Sequence, residues 1–356
     1  MIGRGIWKGA NRVSLGVGLA NDSAEVTTEA AGWEPLIAIL LSTYNGERYL
    51  QKQLDSISDQ TYKIWQILWR DDGSSDASRA IMEAVANSIG CGRCIGVCPT
   101  DACLGAAKSF VSLLREAGEY RLTAFADQYD VWLPDKFQRA VERKVAQKPG
   151  MPILHSERQI IVDEHLKRRA LSPLPCFGAG FQSAVLQNIV TGCRAMLNRE
   201  AVQLVNRVEP PDEMVHDWRA HIVIAVARGS VIIDPAPAIP YRQHGHKAIG
   251  DVSPLIPRAV KAIQRGPAPF PRQLEKHAIT LENAKVNLPQ SVQATNARIL
   301  RALLRGRMAR LSLLRDPAFR RETWRENLGM TARIRGAYRL LAGSRYGLDG
   351  DVISGG

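Results

Sequence analysis

The sequence predicts an α/β fold built on a doubly wound parallel sheet, and three observations carry that prediction. Short continuous apolar runs, LIAILLS from Leu36 and IWQILW from Ile64, alternate with longer segments of helical periodicity. The runs are only as long as strands. Each ends in a polar loop: STYNGE, RDDGSSD and, after a fourth run, ADQYD. A strand covered on both faces reads as an uninterrupted apolar run, and strands alternating with helices pair in parallel through right-handed crossovers. Ligands in such sheets collect beyond the carboxyl ends of the strands, so the three loops are expected to face one crevice.

Taken in order, the first strand is followed by the helical segment RYLQKQLDSIS, which sets Leu50, Leu54 and Ile57 on one side. The second strand runs into RDDGSSD, where Ser75 or Asp76 can cap the helix ASRAIMEAVANS. RCIGV supplies a third strand, AAKSFVSLLREAG a third helix and YRLTAFAD a fourth strand. From Met151 to about Gly250 the pattern is shorter and less regular: strands ILHSE and RQIIVD, an apolar helix from Asn188 to Leu197, the helix WRAHIVIAVARG, and SVIIDPAPAIPYRQHG. This half is expected to extend the same sheet. Three regions result: an N-terminal extension over 1–34 without sustained periodicity, a domain over 35–250, and a basic helical region over 251–356.

The chain has 356 residues, 45% hydrophobic and 23% charged, a composition that can bury a sizeable core. Its formal net charge of +12 is concentrated: Pro254 to Arg345 holds nineteen Lys or Arg against five Asp or Glu. Such a patch attracts polyanions, among them an anionic membrane face. In ILRALLRGRMARLSLLR, Leu300, Leu304, Met308, Leu311 and Leu314 recur at helical spacing with arginines between them. That pattern suits either a solvated helix or one lying at a membrane surface. Aromatic residues do not interleave with the arginines and no nucleic-acid module is present, so nucleic acid is not the expected partner. No apolar run is long enough to span a bilayer and the N-terminus lacks a secretory core, which reads as a cytoplasmic protein.

GCGRCIGVCPTDAC places Cys91, Cys94 and Cys98 at the spacing of three of the four ligands of a bacterial ferredoxin cluster, with Ser88 where the first would fall. The stretch also supplies the third strand that an α/β chain needs here, and reduced thiols are the preferred reading.

Seven strings occur in order: ILLSTYNGERYLQKQLDSISDQTY, RDDGSSD, AAKSFVSLL, FADQYDVWLPDK, VTGCRAMLNR, HDW and YRQHG. Together they resemble glycosyltransferase family 2, in its rhamnosyltransferase-like branch. The resemblance implies a GT-A fold of Rossmann-like character. It also implies transfer, with inversion, of rhamnose or a similar hexose from a dTDP- or UDP-linked donor to a hydroxyl of a glycan or a lipid-diphosphate-linked acceptor. Surface polysaccharide synthesis at the inner face of the cell membrane is the expected setting, with peripheral contact through the basic helices.

By the same resemblance Thr43, Asn45 and Glu47, with Asp71 and Asp72, line the donor pocket, and either aspartate can accept the imide hydrogen of a pyrimidine base. DDGSSD would in any case form a turn and a helix cap. Asp127 contacts the ribose or a divalent cation, Mn or Mg, that Asp130 and His244 also hold, and Arg242 meets the diphosphate. Asp217 is the expected base, although an aspartate in a first helical turn is also favoured by the helix dipole alone. His216, Trp132 and Trp218 are read as packing or pocket residues. The family usually has DQDD where this chain has Asp127, Gln128, Tyr129 and Asp130, and the acid replaced by Tyr129 ordinarily grips the metal. Leu104 likewise replaces an expected asparagine. The competing expectation is a weakened or inactive homologue that binds partners through its basic tail.

Overall fold

The computed structural model describes residues 34–89, 92–97, 103–143, 150–163, 165, 167–175, 178–211, 214–242, 276–277 and 279–282. Strands β1 (Ile37–Thr43), β2 (Trp65–Asp71), β3 (Cys94–Gly96) and β4 (Leu122–Asp127) are parallel, in the order β3-β2-β1-β4. Between them run α1 (Glu47–Ser58), α2 (Ser78–Ser88) and α3 (Ala106–Glu116). The apolar runs behave as expected of buried parallel strands: Ile37 to Leu41 and Phe125 are fully buried.

The second half corrects the parallel sheet to a mixed one. After α4 (Lys136–Glu142) come β5 (Ile153–Val162), β6 (Arg168–Leu171), α5 (Phe181–Leu186), a 3-10 turn (Gly192–Arg194), β7 (Ala195–Asn198), α6 (Arg199–Asn206), α7 (His216–Val226) and β8 (Ser230–Arg242). β7 pairs antiparallel with both β4 and β5, and continues the sheet as β3-β2-β1-β4-β7-β5-β6. Among the described residues β8 pairs with β5 alone. An edge position lets β8 carry Pro235, Pro237 and Pro240, which cannot donate to a second ladder.

Two expected elements differ. ILHSE and RQIIVD are one ten-residue strand, β5, whose register against β8 shifts around Arg158. The expected helix from Asn188 to Leu197 is instead a loop, the 3-10 turn and β7. A short apolar run does not distinguish strand from buried helix, and the free edge of β4 takes Met196, Leu197 and Asn198 as a strand partner.

α3 packs on β1 and β2, and α6 and α7 pack against α3. Beneath this layer sits a core that includes Leu40, Phe110, Leu113, Phe125, Val202 and Ile222. Leu281, from beyond residue 251, joins it, and His277 stacks edge-on against Trp218 with Nδ1 at 2.8 Å from the carbonyl of Val185. Part of the C-terminal region thus packs beside α5 and α7.

FADQYDVWLPDK turns inward after β4. Trp132 is buried against Phe137, and Lys136 is fully buried in an ion pair of 2.8 Å with Glu157 of β5.

Candidate active site

The loops after β1, β2 and β4 are fastened to one another at the carboxyl edge of the sheet. Thr43 Oγ1 donates to Asp71 Oδ1 at 3.0 Å, the Asn45 amide donates to Ser74 Oγ, and Asn45 Oδ1 accepts from the Ser75 amide. Glu47 reaches across with Oε2 to the Ala77 amide, while its own amide donates to Asp76 Oδ2. Asp76 rather than Ser75 also meets the Ser78 amide at the start of α2. Gln128 clamps the third loop by accepting from the Tyr44 amide and donating to its carbonyl, both at 2.8 Å. Gly46 permits this closeness, because a Cβ there would stand 2.2 Å from Gln128 Oε1.

Asp71 accepts from Thr43, Ser74 Oγ and the amides of Gly73 and Ser74, with Gly73 at φ +87° closing the turn. These four donors occupy the carboxylate's usual complement of lone pairs. Asp72 is only 2% exposed and accepts from Arg70, Ser109 and the amides of Leu104 and Gly105. Burial alone would raise its pKa, but the hydrogen bonds from Leu104, Arg70, Ser109 and Gly105 outweigh it and hold the carboxyl below the usual range. Its visible work is to tie the end of β2 to the entrance of α3. Leu104 contributes there through its backbone, and its side chain is exposed.

Asp217 sits in the first turn of α7 and is 5% exposed. Gly192 N donates to its Oδ2 at 2.6 Å, and Asn188 Nδ2 and Trp218 N donate to its Oδ1 at 3.0 and 2.5 Å. Burial raises the carboxyl to about 7; the amides of Gly192 and Trp218 oppose that, and the negative charge of Asp127 adds to it. A carboxyl poised near neutrality that keeps one lone pair on Oδ2 has the properties of a general base. Beside it His216 stacks on Phe110, with ring centroids 4.0 Å apart, and burial lowers its pKa to about 3. It is a neutral packing residue. Trp218 donates Nε1 to the Ala184 carbonyl, which also marks it as packing.

Asp127 ends β4 partly exposed, and Asp130 is fully buried behind it. One ligand atom each from Asp127, Asp130 and Cys193 lie within 4.8 Å of one another. This set can hold a divalent cation, since two carboxylates and a thiolate make three convergent donors. Tyr129 is pushed well above the usual phenol range by the negative charge of Asp127, by burial and by Asp130, and stays protonated. Arg242 closes β8 opposite Val162, and its side chain and His244 lie outside the described residues. The structure therefore brings Asp127, Asp130 and Asp217 to one edge and adds Asn188, Gly192 and Cys193, which the sequence reading missed. The available signal for Gly192 and Cys193 was the string VTGCRAMLNR, which enters the resemblance as a motif without a role for either residue.

Residues 38–205 match the family model described as glycosyl transferase family 2. This segment, just under half of the chain, is a glycosyl transferase family 2 segment. The match ends before α7, so Asp217 lies beyond it. The dTDP-rhamnosyl transferase RfbG of Shigella flexneri is 27% identical over 225 residues, covering 59% of this chain and 73% of that protein. The Escherichia coli UDP-Glc:alpha-D-GlcNAc-diphosphoundecaprenol beta-1,3-glucosyltransferase WfgD is 24% identical over 178 residues, covering 48% of this chain and 66% of that protein. The crystal structure of S. aureus TarS residues 1–349 in complex with UDP-GlcNAc superposes with a TM-score of 0.51 at 15% identity, over 75% of this chain and 71% of that one. The fold is accordingly GT-A, with the mixed extension described above.

Proposed function

We propose that this chain is an inverting glycosyltransferase. In this reading it moves rhamnose or a similar hexose from a dTDP- or UDP-linked donor to a hydroxyl of a glycan or lipid-diphosphate-linked acceptor, in surface polysaccharide synthesis. The observation that carries the reading is Asp217: a buried carboxyl raised to about 7, fixed by three N–H donors and electrostatically coupled to Asp127 across the same edge. The named relatives, a rhamnosyl transferase and a glucosyltransferase, support the reaction class.

In the proposed reaction Asp217 Oδ2 takes the proton of the acceptor hydroxyl as its oxygen attacks the anomeric carbon from the face opposite the leaving nucleoside diphosphate. Asn188 and the Gly192 amide keep the carboxylate aimed throughout. Thr43, Asn45, Glu47 and Asp71 form the donor-side wall, and a base contact to Asp71 or Asp72 would exchange one of the internal bonds described above. Arg242 would meet the diphosphate. A divalent cation held by Asp127 and Asp130 would supply neutralisation of the charge that builds on the leaving group. Among the described residues no helix is long and apolar enough to cross a membrane. The reading gives peripheral contact at the inner face to the basic region after residue 251, on the strength of its excess of Lys and Arg.

Incubation of the full chain with dTDP-rhamnose, UDP-glucose, UDP-galactose and related donors, with and without manganese, is expected to release a nucleoside diphosphate from at least one donor, read by mass spectrometry. Absence of binding and turnover with every donor would overturn the proposal. That result would favour the inactive homologue which the tyrosine at 129 suggests.

A further inference from the structure

We propose that Cys193 is a ligand of the divalent cation, standing in for the acid that Tyr129 replaces, and that the thiolate makes this site favour a thiophilic ion such as zinc or cobalt over magnesium. The inference deepens the cation site of the transferase reading and rests on it.

Cys193 comes from the turn before β7, not from the β4 loop, yet one ligand atom of it lies within 4.8 Å of both Asp127 and Asp130. Asp130 and Cys193 are fully buried while Asp127 is partly exposed. The set therefore has a closed back wall and an opening on the cleft side. The sulfur's surroundings suit a bound thiolate. Gln159 Nε2 donates to Sγ at 3.6 Å, and N–H donors of this kind support metal-bound sulfur. The buried guanidinium of Arg194, next in the chain, interacts electrostatically with Cys193, Glu157 and Asp217, which offsets part of the negative charge that two carboxylates and a thiolate bring together. Hard oxygen ligands suit magnesium and manganese, whereas a thiolate shifts preference toward zinc and cobalt. Binding would release the thiol proton.

The geometry also gives the Gly192–Arg194 turn two tasks. The Gly192 amide holds the carboxylate of Asp217, and the next residue supplies the third donor to the cation. A single three-residue turn thus sets the spacing between the acceptor side and the donor side of the cleft.

Titrating metal-free full chain with cobalt under anaerobic conditions tests this. The wild type is expected to develop a near-ultraviolet sulfur-to-cobalt charge-transfer band. Cys193→Ser is expected to lose the band and to bind cobalt at least on the order of tenfold more weakly, since even outer-shell losses cost roughly 10- to 100-fold. Cys103→Ser, an exposed cysteine outside the set, keeps the band. Tyr129→Asp combined with Cys193→Ser is expected to regain binding without the band and to favour manganese. X-ray absorption of the zinc-loaded wild type, which needs no variant, should show one sulfur at about 2.3 Å. A wild type without the band, a band that survives Cys193→Ser, or zinc with oxygen ligands only would overturn the assignment. Donor turnover is scored separately. Turnover without sulfur ligation sinks the cysteine assignment alone, and sulfur ligation without turnover sinks the transferase reading alone.

Discussion

Replacing Asp217 by Asn should change the pH dependence of stability in a direction the structure specifies. Burial raises the carboxyl from 3.8 to about 7, which disfavours its charged form in the folded protein by about 4 kcal/mol. The folded chain holds this proton where the unfolded chain has already lost it. Stability from this group is therefore greatest below pH of about 4, falls as pH rises to about 7, and is flat above that. Asn cannot ionise and lacks this slope. Between pH of about 5 and about 8 the stability difference should move by roughly 3 kcal/mol in favour of Asp217→Asn. The baseline is set by a donor conflict. An amide has one oxygen, so its NH2 must face either the Gly192 amide or the Asn188 and Trp218 donors, at a cost of about 1–3 kcal/mol. Urea unfolding followed by tryptophan fluorescence at several pH values reads both quantities. Curves for the two proteins that stay parallel across this range would refute the claim that Asp217 is a desolvated carboxyl. The same variant should lose at least on the order of 100-fold in kcat/KM.

Other perturbations probe the supports. Arg70→Met leaves Asp72 buried without its ion-pair partner, since both side chains are almost wholly inaccessible; denaturant unfolding should show a loss of about 3–5 kcal/mol. Gly192→Ala places a Cβ 2.7 Å from His216 Nε2 and 3.6 Å from Asp217 Oδ2. It should cost about 1–3 kcal/mol of stability while lowering kcat more than it raises KM, because it displaces the base rather than the donor wall. In the wild type kcat/KM should rise with pH through about 7, as Asp217 loses its proton.

The first half of the sheet was legible because LIAILLS, IWQILW and YRLTAFAD are local signals, apolar enough to be strands wherever the chain goes next. The mixed second half was not. Asn188 to Leu197 is as apolar as a helix would be, and only the free edge of β4, a tertiary fact, makes its last residues a strand. The site divides in the same way. Asp127, Asp130 and Asp217 stand out by residue type at the ends of elements. The Asn188 and Gly192 bonds to Asp217 span 29 and 25 residues of sequence, and Cys193 approaches the β4 loop from some sixty residues away, so these contacts arise from packing that no local periodicity fixes. Asp71 and Asp72 show the converse. Their position and type suggested ligand contacts, and the structure finds their oxygens engaged within the protein by four donors or more each.

The central claim is that one buried carboxylate, Asp217, activates an acceptor hydroxyl for direct displacement at the donor's anomeric carbon. The anomeric configuration of the transferred sugar, read by NMR on the product formed from a donor of known configuration, tests it most directly. A single displacement predicts the opposite configuration in the product. A product that keeps the donor's configuration would contradict the account.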